Sequence, residues 1–157
     1  MITLYHGSNV EVATPKILSN LRAMDFGSGF YLTSNFHQAE RWARLVCKRR
    51  GQGQAIVNIY EFDEVAPLNI KRFLSADGEW LEFVVTNRKA LGMFDYDVVV
   101  GAVADDATLP VIDDYMDGRY TIDEAVKRLL PQNLTDQYAF CTQTALDYLT
   151  FIKSQII

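Results

Sequence analysis

Hydrophobic and polar positions alternate over short stretches near both ends of the chain, which is typical of β-strands. The first strand is predicted over residues 2–6, and Gly7-Ser8-Asn9 follows it as a turn. Residues 10–24 have mixed polarity and are predicted to be mainly a connection, with room for one short helix. Further strands are predicted over residues 55–62, 68–73, 96–104, 137–142 and 146–152. The near-continuous apolar run 96–104 predicts a buried strand.

Helical spacing of apolar residues appears in two places before residue 90. Residues 36–47 have such spacing after Ser34-Asn35, both good N-caps, and Gly51 closes the pattern. The apolar positions of residues 80–88 suit a helix about as well as a strand, and the polar run that ends the segment favours a helix.

A capping box predicts a third helix. Thr121 stands at the cap position and Glu124 three residues later, while Pro131 terminates the helix after Leu130. Strands at both ends of the chain with helices between them predict an α+β fold, and no linker divides residues 1–157, so we expect a single domain.

Composition narrows the classes of protein to consider. The chain has 157 residues, 49% of them hydrophobic, which is enough for one sizeable core. A net charge of −5 disfavours a generic nucleic-acid binder, because such proteins usually carry a basic balance. The one dense basic cluster, Lys48-Arg49-Arg50, falls at a predicted helix end, where cations complement the helix dipole.

The cysteines and histidines indicate neither disulfides nor zinc. Cys47 and Cys141 lie far apart in the sequence, and no charged and apolar leader precedes the first strand, so we expect a cytoplasmic protein with reduced thiols. No apolar run approaches the ~18 residues that a membrane span requires, so no membrane association is expected. Two histidines without a cysteine cluster make a structural zinc site improbable, whereas a metal held by carboxylates alone stays open.

The stretch from Asp25 to Ser34 combines a loop, a strand and a helix start. Gly27 and Gly29 allow a sharp turn and a close approach of the backbone to a ligand, and Phe30 to Thr33 is β-prone. Such a stretch presents backbone N–H groups and an aromatic face to one ligand. Taken alone, it is better interpreted as a tight turn before a core strand, with Phe30 or Tyr31 buried.

Two motifs in this order carry a resemblance to a known family. Tyr5-His6-Gly7-Ser8 on a first strand is followed by Gly27-Ser28-Gly29-Phe30-Tyr31-Leu32-Thr33 on a second, and by Ala39 and Trp42 on a helix. The pair resembles the ADP-ribosyltransferase fold, in the branch that includes diphtheria toxin, poly(ADP-ribose) polymerases and rifampicin-modifying transferases. Within it, nearly the whole chain resembles a family of small bacterial proteins with an uncharacterised domain. The resemblance implies a split, mainly antiparallel sheet flanked by helices.

The resemblance also implies a substrate and roles for residues. Enzymes of this branch bind NAD, cleave its nicotinamide–ribose bond and pass ADP-ribose to an acceptor, without a metal. His6 would bond the adenosine ribose, the Gly7 backbone would pair with the nicotinamide carboxamide, and Tyr31 would stack on the nicotinamide ring. The remaining positions implied at the NAD site are Ser8, Gly27, Gly29 and Thr33.

The third motif departs from the family pattern. In that branch an acidic residue begins a late strand and bonds the ribose hydroxyl beside the reacting carbon, and by chain order Gln137 takes its place here. An amide holds a hydroxyl but is neither a base nor an anion. Glu79 is the alternative carboxylate, and a solvated acid at a helix start is an equally good interpretation of it. Asp105 and Asp106, at a strand end, are weaker candidates.

Three functions therefore stay open. The first is a mono-ADP-ribosyltransferase with a protein, nucleic acid or small molecule as acceptor, acting as a toxin-like effector with a neutralising protein partner. The second is NAD hydrolysis, with water as acceptor. The third is a non-catalytic module that binds NAD, ADP-ribose or a protein, for which the glutamine at position 137 is the mark.

Overall fold

A computed structural model of the protein describes residues 1–17, 24–89, 94–132 and 134–157, which form one small α+β domain. The chain segment 18–23, part of the predicted connection, lies outside the described residues. The elements in chain order are β1 (Ile2–Ser8), β2 (Phe30–Leu32), α1 (Phe36–Arg50), β3 (Ile56–Phe62), β4 (Ile70–Arg72), α2 (Gly78–Arg88), β5 (Val98–Ala102), α3 (Leu109–Met116), α4 (Ile122–Leu129), β6 (Asp136–Phe140), α5 (Gln143–Leu146) and β7 (Leu149–Ile156).

The strands form two sheets that meet at one point. Sheet A has the order β1-β3-β7 and sheet B the order β2-β6-β5-β4, and every pair is antiparallel except β4 with β5. β1 and β2 are joined by a bridge at Tyr5 and Thr33, whose N–H groups each donate to the carbonyl of the other, at 2.8 and 2.9 Å. The predicted α+β class with a split, mainly antiparallel sheet is confirmed.

Alternation along the strands gives the sheets an inner and an outer face. Aromatic and branched residues from both sheets fill the inner face, where Leu4 and Phe30 are buried among the side chains of β3, β5 and β6. On the outer face, α1 covers sheet A, while α2, α3 and α4 cover sheet B. The helices therefore leave the junction of β1 and β2 between two covering groups.

Helix α1 begins and ends as its sequence predicts. The Asn35 side chain accepts a hydrogen bond from the Gln38 N–H, and Gly51 ends the helix at a φ of 68°, in the left-handed region. The helix buries Ala39 and Ala43 against β1. These small residues let the helix and the strand approach closely.

Two predictions about element bounds are wrong, and one helix was not predicted. β1 runs through Gly7 and Ser8 instead of turning there, because both residues continue the pairing with β3. β7 begins at Leu149, since the Thr142 hydroxyl caps the short helix α5 in the preceding segment. Helix α3 was not predicted, because no side-chain hydrogen bond caps it at Thr108. The other predicted strands and helices are confirmed within two or three residues at their ends.

We predict that Gly7→Ala destabilises the fold strongly. A Cβ at this position would overlap the Ala39 carbonyl oxygen and lie 2.6 Å from the Ala43 nitrogen, so α1 would be pushed away from β1. Overpacking of this kind costs about 3 kcal/mol. The free energy of unfolding from urea denaturation measures the effect.

Gly78→Ala is the matched control for this prediction. Its Cβ would meet only the Ile122 side chain, at 3.3 Å or more, and that flexible group can move. We expect the control to change the free energy of unfolding by less than about 1 kcal/mol. Equal stability of Gly7→Ala and the wild type would contradict the packing of α1 on β1.

Candidate functional site

The His6 ring reaches across the junction of the two sheets. Its Nδ1 donates a hydrogen bond of 2.7 Å to the backbone carbonyl of Tyr31, and the ring stacks on Phe30 with centroids 4.1 Å apart. Burial lowers the pKa of His6 to about 4. The charge of Arg50 also lowers this pKa, whereas the hydrogen bond to the Tyr31 backbone raises it. With its proton on Nδ1, the neutral ring presents Nε2 as an acceptor, and no described residue donates to that atom.

The peptide groups of Gly7 point into the gap between β1 and β2. In an antiparallel strand the N–H and C=O of successive residues point to opposite sides. Those of Tyr5 are bonded to Thr33 of the β2 side, so the groups of Gly7, two residues on, point to the same side. The Tyr31 carbonyl, which a continued ladder would give to Gly7, is bonded to His6 instead. The sheet therefore splits at Gly7 and leaves backbone groups of that residue along the gap.

The Tyr31 side chain lies on the outer face of β2, under the glycine loop. Its hydroxyl accepts from the Phe26 N–H at 3.0 Å and donates to the Gly27 carbonyl at 2.6 Å. Burial raises the pKa of Tyr31 far above its usual range, so the phenol stays protonated. Tyr31 can offer a fixed aromatic surface, but it cannot serve as a base.

The glycine loop is anchored to the end of α2. Arg88 pairs with Asp25 through Nε at 2.9 Å and Nη2 at 2.7 Å, and the Asn87 side chain donates to the Asp25 carbonyl at 3.2 Å. Gly27 has a φ of 80°, which other residues rarely adopt, and Gly29 directly precedes β2. The loop that holds the Tyr31 hydroxyl is thus fixed at both ends.

Gln137 lies near the start of β6, on the same outer face as Tyr31. Paired residues of neighbouring strands share a face, and the pairing of Tyr31 with Ala139 places Gln137, two residues from Ala139, on that side. Its side chain is buried, and Nε2 donates to the Ala102 carbonyl at 3.4 Å. The other predicted positions, Ser8 and Thr33, are also buried: Ser8 ends β1, and Thr33 forms the bridge to Tyr5.

The structure does not bring Glu79 together with His6 and Tyr31. Glu79 lies in the first turn of α2, mostly exposed, and forms an ion pair with Lys71 of β4. In sheet B, β4 is three strands from β2, which is about 14 Å. The interpretation of Glu79 as a solvated acid at a helix start is the one that fits this placement. Asp105 caps backbone N–H groups at the start of α3 and does not reach the gap.

Asp136 is a residue that sequence reasoning missed. Its carboxylate accepts from the Thr33 hydroxyl at 3.0 Å and from both the N–H, at 2.8 Å, and the hydroxyl of Ser34. These bonds tie the start of β6 to the end of β2 and to the residue before the Asn35 cap of α1. No sequence signal links two segments about a hundred residues apart.

A cavity of about 630 Å³ lies beside the glycine loop, within the size range of small-molecule sites. It is lined by Gly27 and Ser28, by residues 94–96 before β5, and by Cys141 and Thr142 after β6. Burial raises the pKa of the Cys141 thiol to about 12, so this cysteine is not a nucleophile at neutral pH. Of the predicted binding residues, Gly27 alone lines this cavity.

The described residues contain neither a cluster of metal ligands nor a membrane-spanning helix. Within residues 1–17, 24–89, 94–132 and 134–157, no group of three or more His, Cys, Asp or Glu is placed to hold a metal ion. No helix in the same ranges is both long enough and apolar enough to cross a membrane.

Of three comparisons with known proteins, the comparison with family models gives a match. A family model described as "Protein of unknown function (DUF3990)" matches residues 2–151. No curated protein and no solved structure matches the chain. The matched range includes every residue of the candidate site, from His6 to Gln137.

The buried His6 predicts a specific pH dependence of stability. Its pKa is about 4 in the folded protein and 6.5 as the ordinary value, so between these pH values the unfolded state binds more protons. The contribution of the neutral His6 ring to the free energy of unfolding is therefore fully present above pH 6.5. It is lost as the pH falls towards 4, by up to about 3 kcal/mol. The difference in unfolding free energy between wild type and His6→Gln, measured from pH 7 to 4, isolates this loss.

His37→Gln is the control for the pH experiment, since His37 is exposed on α1. This variant should follow the wild-type curve at every pH. Parallel curves for wild type and His6→Gln would show that His6 is not buried as a neutral ring.

Proposed function

We propose that this chain, which belongs to the DUF3990 family, binds NAD at the split between β1 and β2 and acts as an ADP-ribosyltransferase. The observation that carries the proposal is the bond from the His6 ring to the Tyr31 carbonyl, which joins the two motifs at the gap lined by Gly7. The resemblance of these motifs to ADP-ribosyltransferases supplies the identity of the ligand.

The groups at the gap complement two polar parts of NAD. The neutral His6 ring offers Nε2 as acceptor for an adenosine ribose hydroxyl. A carboxamide carries one C=O and one NH₂ group, which match the N–H and C=O that Gly7 directs into the gap. Because α1 leaves no room for a side chain at position 7, only glycine can place its backbone groups here.

Tyr31 serves as the stacking surface in this proposal. The hydrogen bonds of its hydroxyl to Phe26 and Gly27 fix the ring before a ligand arrives, so stacking requires little further ordering. An aromatic face attracts the flat, positively charged nicotinamide ring of NAD.

Transfer breaks the bond between the nicotinamide nitrogen and the ribose carbon, and the electron pair leaves with nicotinamide. The positive charge that develops on the ribose needs oriented dipoles. The Gln137 amide donates to Ala102, and its oxygen accepts no hydrogen bond from a described residue, so it can accept one from the ribose hydroxyl. The acceptor then forms the new bond to the ribose carbon and loses its proton.

A non-catalytic NAD-binding module is the second candidate, favoured by an amide at position 137 and by the distance of Glu79 from the gap. Labelled NAD incubated with lysate separates the candidates. Label on a macromolecule means transfer, free ADP-ribose means hydrolysis, and unchanged NAD means a binder. A toxin-like role with a neutralising partner rests on the resemblance alone.

We predict that His6→Ala weakens NAD binding about tenfold, the effect of losing one hydrogen bond of about 1.4 kcal/mol. Isothermal titration calorimetry of wild type and variant with NAD measures the change. His37→Ala, at the exposed histidine, should bind like the wild type. No heat of binding at millimolar NAD, or equal affinity of His6→Ala and wild type, would contradict the proposed site.

A second prediction concerns turnover. Gln137→Ala should lower the rate of nicotinamide release about 10²-fold, because it removes a contact made in the transition state, while NAD affinity changes little. Gln137→Glu should preserve or raise the rate, since it adds the charge that this position lacks. Single-turnover release of nicotinamide from bound NAD gives the rates.

Glu79→Gln is the control for turnover, because Glu79 is engaged with Lys71 away from the gap. We expect it to leave the rate unchanged. A large loss of rate in Glu79→Gln, together with an unchanged rate in Gln137→Ala, would contradict the assignment of the ribose contact to Gln137.

A further inference from the structure

The basic end of α1 lies beside the end of β1. Lys48, Arg49 and Arg50 form the last turn of the helix, and the Arg50 Nη1 donates a hydrogen bond of 2.7 Å to the Asn9 side-chain oxygen. Asn9 directly follows the His6-Gly7-Ser8 segment. One of the three cations is thus held in a defined position next to the candidate site.

Asn9 is a rigid support for this guanidinium. Its side chain is buried, and Nδ2 donates to the Gln52 carbonyl at 3.1 Å. The Asn9 carbonyl accepts from the Gln54 N–H at 3.4 Å, and Gly53 packs closely against the same residue. A guanidinium has five N–H donors, so the single bond to Asn9 orients Arg50 and leaves most donors available.

The direction of the helix places Arg50 near His6. β1 and α1 run side by side in the same direction, since Tyr5 contacts Phe36 and Gly7 contacts Ala39. Arg50 therefore meets Asn9, the residue after β1, which lies three residues beyond His6, or about 10 Å along an extended chain. The charge of Arg50 is close enough to His6 to contribute to the lowered pKa of the ring.

The Arg50 guanidinium has no ionic partner among the described residues. Ion pairs within 4.0 Å do engage Arg44, Arg72, Arg88 and Arg119. Arg50 is therefore a cation without an ion pair within 4.0 Å in the described part of the chain, and the buried Asn9 amide orients its guanidinium. Its planar fork suits phosphate oxygens, which it binds in a bidentate manner.

We propose that Arg50, positioned by Asn9, binds the diphosphate of NAD. The inference rests on the proposed function, because it assigns the remaining charged part of the same ligand. In this assignment His6 binds the adenosine ribose and Gly7 binds the carboxamide. Arg50 binds the diphosphate that joins the two nucleosides. Arg50 is a binding residue and takes no part in bond cleavage.

Calorimetric titration of NAD into wild type, Arg50→Ala, Arg50→Lys and Arg49→Ala tests the proposal. Arg50→Ala should weaken NAD binding about tenfold or more, as expected for a charge-assisted contact of 1.5–3 kcal/mol. Arg50→Lys should lie between wild type and alanine, because an ammonium keeps the charge without the fork. Arg49→Ala, in the same helix turn without a bond to Asn9, should bind NAD like the wild type.

Nicotinamide, which carries no phosphate, is the control ligand. Its affinity should be the same for wild type and Arg50→Ala. Equal losses in Arg49→Ala and Arg50→Ala, or a parallel loss of nicotinamide affinity, would overturn the assignment of Arg50 and leave the NAD site standing. Absence of NAD binding by the wild type would overturn both this assignment and the proposed function.

Discussion

Two hydrogen bonds between Tyr5 and Thr33 join the sheets, and the candidate site depends on them. They fix the register of β1 against β2, so His6 and Gly7 come just after the joint on one strand and Tyr31 just before it on the other. Beyond the joint the strands diverge, and the His6 ring takes the carbonyl that would have continued the ladder. This short contact thus sets the position of the gap and places the His6 side chain at its border.

Burial decides what chemistry the site can perform. His6 is held neutral and Tyr31 is held protonated, both because a charge would lose its solvent. Gln137 is an amide and carries no charge at any pH. In the proposed site these three residues therefore act by hydrogen bonding, stacking and shape rather than by proton transfer. In the proposed NAD site, the charge complementary to the diphosphate comes from Arg50, at the end of α1.

Features encoded locally in the sequence could be predicted, and features that depend on distant pairing could not. The Asn35 cap, the Thr121 capping box and the apolar run of β5 each occupy a few neighbouring residues, and the structure contains all of them. Gly7 was misassigned to a turn. The residue must be a glycine because α1, more than thirty residues later in the chain, packs too closely to leave room for a side chain. Asp136 went unnoticed for the same reason, since its partners Thr33 and Ser34 lie on another strand.

The most direct test of the site is the response of the Gly7 amide to NAD. The chain has nine glycines, so selective ¹⁵N-glycine labelling gives a simple spectrum in which Gly7 can be assigned by comparison with a labelled variant. The Gly7 N–H points into the gap, and NAD should therefore shift its resonance in a saturable manner while Gly78 and Gly118, which lie outside the site, stay unchanged. A Gly7 resonance that does not move at saturating NAD would contradict the split of the sheet as the NAD site.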